Sequence, residues 1–173
     1  MALISASTII SSISLFHLTI AFFFLTNPGT IADQALVWVL GSSMGMPHGR
    51  TFETQSGPLA FLAFVLAFLG VTDLMSLSMP EEISLLYHWG TQAPLRLFLS
   101  LSAVGYCVIF GTSSRGANKG YSATRGNDGI INDVFFAFAF VEMVTWFWIW
   151  VTLREERTEL VKKSLKDTRV QNE

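Results

Sequence analysis

Four long stretches of this chain are apolar on every side, and short polar segments separate them. The first runs from about Ile9 to Leu25 and ends at Asn27-Pro28-Gly29, a turn signal. The second opens with Gly57-Pro58, where a proline in the first helical turn loses no hydrogen bond, and continues through Phe61, Phe64, Phe68 and Val71 to about Leu77. The third is read as starting at Pro94, or earlier around Tyr87–Trp89, and runs to about Phe110. The fourth covers Ile130–Leu153 and carries Trp146, Trp148 and Trp150 near one end, an aromatic-belt signature followed by Arg154 as the water-side anchor. A globular core helix shows one polar face, and these windows show none. Crossing ~30 Å of hydrocarbon takes about 20 apolar residues, which each run reaches with its flanks.

The pattern therefore predicts an all-α membrane protein, a four-helix transmembrane bundle with spans at about 7–26, 57–77, 90–111 and 129–153. Residues 1–153 form the bundle and 154–173 a charged tail. No basic n-region precedes the first run, so it reads as an anchor and not as a cleaved signal peptide. Between the first two spans, Ile31–Met46 is interrupted by Asp33, Gln34 and Gly41 and is marginal for a crossing. It is expected as an interfacial or re-entrant helix. The polar, glycine-rich segment Gly111–Asp128 lacks phosphate-loop spacing and reads as a flexible connector. In the tail, Arg154–Asp167 can continue the fourth helix, with Leu153, Leu160, Val161 and Leu165 on one face and a Glu159–Lys163 pair.

Charge sets the expected orientation. Of eleven Lys and Arg, six follow Leu153. That excess predicts a cytosolic C-terminus and, with four spans, a cytosolic N-terminus. Arg115, Lys119 and Arg125 in the third loop, against Glu81 and Glu82 in the second, run counter to this assignment. The net charge of −2 excludes the basic face of a nucleic-acid binder, so no nucleic-acid partner is expected. The partner that the pattern demands is the lipid bilayer.

Ionisable side chains inside spans are costly and hence candidate functional positions. Asp73 and Arg96 fall near the same end of the second and third spans and can form a buried ion pair. His17 and Glu142 fall about ten residues inside the first and fourth spans and can meet near the midplane. A carboxyl at that depth is expected to be protonated or hydrogen-bonded to a neighbour such as His17. These pairs read as structural glue between helices, worth ~0.6 to 2 kcal/mol per contact in a membrane. The rival reading is a proton or ion relay.

Nothing in the sequence assembles a catalytic or metal centre, and no cofactor is expected. Cys107 is the single cysteine and reads as a small packing residue. His48 and His88 stand in separate loops without metal-ligand spacing. No Gly-x-Ser-x-Gly motif occurs. No Asn-x-Ser/Thr sequon occurs either, so N-glycosylation is not expected.

Several segments together resemble the fungal "increased loss of mitochondrial DNA" protein family over nearly the whole chain. They are Leu15-Phe16-His17-Leu18 through Leu25, Ser56-Gly57-Pro58-Leu59 leading to Gly70-Val71-Thr72-Asp73-Leu74, Pro94-Leu95-Arg96-Leu97, and Glu142 followed by Arg154-Glu155-Glu156. The resemblance implies a small multispanning endoplasmic reticulum membrane protein whose loss compromises the mitochondrial genome. It also implies that His17, Asp73, Arg96 and Glu142 are recurring polar positions with no catalytic role attached. The chain lacks an Arg-rich amphipathic presequence, which fits that address. The expected function is a non-catalytic accessory subunit or assembly factor beside larger membrane-protein partners. The alternative is a small ion channel or transporter using the intramembrane charges.

Overall fold

The computed structural model describes residues 4–80, 83–113 and 129–171. Among them every regular element is helical. In chain order these are α1 (Ala6–Thr26), a single turn α2 (Gly29–Ala32), α3 (Ala35–Met44), a 3₁₀ turn (Arg50–Phe52), α4 (Gly57–Ser76), a π-turn (Ser84–His88), α5 (Trp89–Ser113) and α6 (Asp133–Gln171). Four of them, α1, α4, α5 and α6, are long and apolar enough to cross a membrane. At 1.5 Å per residue, α1 and α4 are each about 30 Å long, a bilayer's hydrocarbon thickness. α3, with ten residues, reaches only about 15 Å.

The caps follow local chemistry. The hydroxyls of Ser5 and Ser56 accept the amides of Thr8 and Leu59, and Pro58 occupies the first turn of α4. α6 begins at Asp133, later than the apolar run suggests, because Asn132 is its N-cap. The Asn132 side-chain oxygen accepts the Phe135 amide at 2.8 Å. The third span begins at Trp89, the earlier of the two expected starts and in line with a span at about 90–111. Pro94 does not open it but lies inside α5, which continues the π-turn before it. The basic loop residues Arg115, Lys119 and Arg125, most of the glycine-rich connector, and Glu81 and Glu82 lie outside the described residues, as do the side chains of Lys163 and Leu165.

α1 packs along α4 and α5 along α6, while α6 also touches α1 and carries α3 on its outer side. Two glycines set how closely the helices approach. A Cβ at Gly70 would stand 2.8 Å from the Ser14 carbonyl of α1, and one at Gly41 would stand 2.5 Å from the Asp133 Cβ. Small residues that let backbones approach are the usual currency of helix packing in lipid. The outward faces are apolar. Phe61 of α4 is 70% exposed, and Phe64, Phe68, Phe98 and Ile109 are similarly bare. In water such a belt would drive association, whereas in hydrocarbon it meets its own kind.

α6 is 39 residues long, well beyond one crossing. Its continuation past Leu153 keeps Arg154, Glu155, Arg157 and Glu159 exposed, while Leu160 folds onto the core cluster of Trp89, Trp146 and Ile149. Glu156 accepts the Ala6 backbone N–H at 2.9 Å, so a carboxylate caps the positive end of α1. The start of α1 and the tail of α6 therefore lie at one end of the bundle.

Candidate functional site

The ionisable residues of the spans are gathered into one connected network. Asp73, on the last turn of α4 and 2% exposed, accepts two hydrogen bonds from Arg96 of α5, at 2.6 and 2.7 Å. This fork-to-fork geometry satisfies both carboxylate oxygens. The guanidinium carbon lies 4.8 Å from the ring centre of Trp146 and 5.7 Å from that of Trp89. The two indoles stack at 5.8 Å with 21° between planes. The cation therefore faces aromatic rings on the side that the carboxylate does not cover. Such contacts are worth about 2 kcal/mol when desolvated.

Trp146 extends the network. Its indole N–H donates to Glu142 Oε2 at 2.7 Å, one turn earlier on α6. Glu142 Oε1 lies 2.6 Å from His17 Nε2 on α1, and His17 is 3% exposed. Trp146 thus donates to one Glu142 oxygen and His17 meets the other through Nε2, while the second ring nitrogen, Nδ1, is a buried atom without a partner among the described residues. The path His17–Glu142–Trp146–Arg96–Asp73 thus ties all four spans together through side chains alone.

The structure brings Asp73 to Arg96 and His17 to Glu142. The sequence reading assigned Trp146 to an interfacial belt, and here the structure differs. Trp146 is fully buried, Trp150 is half-buried under Arg154 at 5.5 Å, and Trp148 is the one of the three that faces outward. The signal that could have placed Trp146 was its position four residues after Glu142, which puts both on one helical face. The span hydroxyls add nothing to the network. Ser14, Thr19, Ser100 and Thr152 each donate to a carbonyl of their own helix.

A second polar cluster lies at the opposite end, where sequence spacing gave no hint of one. His48, on the segment after α3, places Nδ1 2.8 Å from Asp133 Oδ2 and Nε2 3.0 Å from Glu53 Oε1. Asp133 Oδ1 also accepts the amides of Gly49 and Val134, both at 2.8 Å, and the Asp133 amide donates to the Pro47 carbonyl. Its hydrogen bond to Asp133 raises the His48 pKa above the ordinary 6.5; partial burial opposes the rise, and Glu53 adds to it. The cluster pins the 45–53 segment to the first turn of α6. His88 stands apart, its ring edge-on to Trp89 at 4.8 Å, and Cys107 is buried among apolar side chains. Among the described residues no group of three or more His, Cys, Asp and Glu could hold a metal ion.

A network whose two carboxylates are fully engaged orients helices. Both oxygens of Asp73 and both of Glu142 are engaged by protein donors, which leaves neither carboxylate an open face for a substrate. The model of a family described as "Increased loss of mitochondrial DNA protein 1" matches residues 4–163 of the chain. Over 143 residues the chain is 24% identical to "Protein ilm1" of Schizosaccharomyces pombe, a match covering 83% of this chain and 77% of that protein. No solved structure matches.

Proposed function

The chain belongs to the increased loss of mitochondrial DNA protein family, and from that premise we propose that it is a non-catalytic, multispanning protein of the endoplasmic reticulum membrane. It acts there as an accessory subunit or assembly factor beside a larger membrane protein, and maintenance of the mitochondrial genome depends on it indirectly. The observation that carries this reading is the closed state of the intramembrane network. Asp73 and Arg96 neutralise each other, and Glu142 holds two hydrogen-bond partners, His17 on one oxygen and the Trp146 N–H on the other. A relay needs groups that exchange protons with water, and an ion path needs polar groups in series. These side chains face one another instead.

The endoplasmic reticulum address rests on the family resemblance, and the cytosolic placement of both termini rests on the basic residues after Leu153. The geometry supports a lateral partner in two ways. The bundle presents rigid apolar faces on α4 and α5, and the α6 tail carries an exposed mixed-charge surface from Arg154 to Lys162. Purification of the tagged chain in mild detergent should yield a stoichiometric larger membrane protein by mass spectrometry. If the chain purifies alone and instead conducts ions in liposomes, the channel reading replaces this one.

A further inference from the structure

An elongated cavity of about 350 Å³ lies in the half of the bundle away from the tail, between α1, α3, α4 and α6. Its walls are apolar apart from Thr19 and Gln34, and the Thr19 hydroxyl is already bonded within its own helix. The lining follows α1 from Phe16 to Phe24 and α6 from Val134 to Val141, so the slot runs about 10–12 Å along the bundle axis. It is more than twice the ~150 Å³ of an apolar protein cavity that stays dry and takes up benzene, and it falls in the range of ligand sites. It is also partly open to the surroundings, which at this depth are hydrocarbon.

One end of the slot says what kind of molecule it suits. Phe52 forms part of the wall and belongs to the turn Arg50–Phe52, which sits at the level where α1 ends. There Gln55 donates to the carbonyls of Leu25 and Thr26. Arg50, two residues before the wall residue Phe52, is exposed and makes no ion pair among the described residues. Asp33, between the lining residues Ile31 and Gln34 in sequence, is exposed. An apolar slot parallel to the helices, with an exposed arginine two residues from its wall at Phe52, complements an alkyl chain joined to a phosphate.

We infer that this cavity is a binding site for one acyl chain of a membrane glycerophospholipid, whose phosphate lies at Arg50. The His48 cluster holds the rim in place by fixing the segment that bears Arg50 and Phe52 to α6. The inference is independent of the accessory role proposed above, since a protein with or without partners can carry such a lipid.

The test uses the full chain, purified in detergent from membranes and washed with a lipid-free detergent. Native mass spectrometry is expected to find one retained glycerophospholipid per protein. Ala137→Phe, which fills the slot, should lower retention at least tenfold, Arg50→Ala should lower it several-fold, and Phe64→Ala on the exposed face of α4 should leave it unchanged. Because Ala137→Phe can disturb folding, the unmodified chain is also reconstituted in phosphatidylcholine vesicles containing a photoreactive acyl-chain phosphatidylcholine. Adducts should concentrate on 16–24 and 134–141 and saturate at low probe fractions. No retained lipid, a retained sterol in its place, retention indifferent to both Ala137→Phe and Arg50→Ala, or adducts spread evenly over the α4 and α5 faces would each overturn the inference.

Discussion

The two ends of this bundle are held by opposite means. At the tail end, α4 and α5 are joined by a buried, bidentate ion pair whose cation faces two stacked indoles. At the other end, the helices part around an apolar cavity, and the polar bonds lie outside it, in the cluster of half-exposed His48 and Glu53 with buried Asp133. The difference follows from the solvent. In lipid, apolar surface gives no helix a preferred neighbour, since hydrocarbon tails are as apolar as leucine. Specific pairing comes from close approach at small residues and from polar groups that find one partner geometry. The tail end has both within the bundle: Gly70 lies close against α1, three residues before Asp73. The far end keeps both at the rim, in the close approach of Gly41 to Asp133 and the bonds of Asp133 to His48, and leaves room within.

Breaking the buried pair should have the largest effect on this contrast. Asp73→Asn or Arg96→Gln leaves one charge without its partner in low dielectric, and each should destabilise by about 3–5 kcal/mol. The double variant should accumulate better than either single one, a coupling that a double-mutant cycle on steady-state abundance measures. Strict additivity would mean that the pair is not an energetic unit. Next in size is Gly70→Val, whose Cβ would stand 2.8 Å from the Ser14 carbonyl and force α1 and α4 apart. A loss of about 1–3 kcal/mol is expected, read as a lower thermal midpoint in detergent.

At the far end the effect is smaller and depends on pH. His48 has a folded pKa raised above 6.5, chiefly by its hydrogen bond to Asp133. Its protonated form therefore contributes fully below about pH 6.5 and fades as pH rises through the folded value. With His48 and Glu53 half-exposed, the cluster should give no more than about 1 kcal/mol. His48→Gln should flatten the pH dependence of proteolytic nicking in the 45–56 segment between pH 6 and 8, roughly the range of histidine titration. Equal slopes in both proteins would remove His48 as the latch.

The span count was legible because hydrocarbon imposes one requirement, length without charge, which a linear pattern displays. The pairings Asp73–Arg96 and His17–Glu142 were legible for a related reason. Intramembrane ionisable groups are few, and helix rise fixes their depth. What the linear pattern hid depends on rotation about the helix axis and on non-helical backbone. Trp146 faces inward and Trp148 outward, though both sit near the same membrane level. Pro94 lies within α5, which follows a π-turn. The meeting of Asp133 with His48, 85 residues away, left no trace in the spacing.

The smallest expected effect bears most directly on the central claim, that the intramembrane charges hold the bundle together and carry nothing through it. Glu142 holds His17 on one oxygen and Trp146 on the other. Glutamine keeps side-chain hydrogen bonding without a titratable proton, whereas Glu142→Leu loses it and should weaken helix association by ~0.6 to 2 kcal/mol. The decisive measurement is the retention of mitochondrial DNA in cells whose sole copy of this protein carries Glu142→Gln, with protein abundance read in parallel. Normal abundance and normal retention are predicted. Normal abundance with loss of mitochondrial DNA would show that the proton itself is used, and would contradict the structural account.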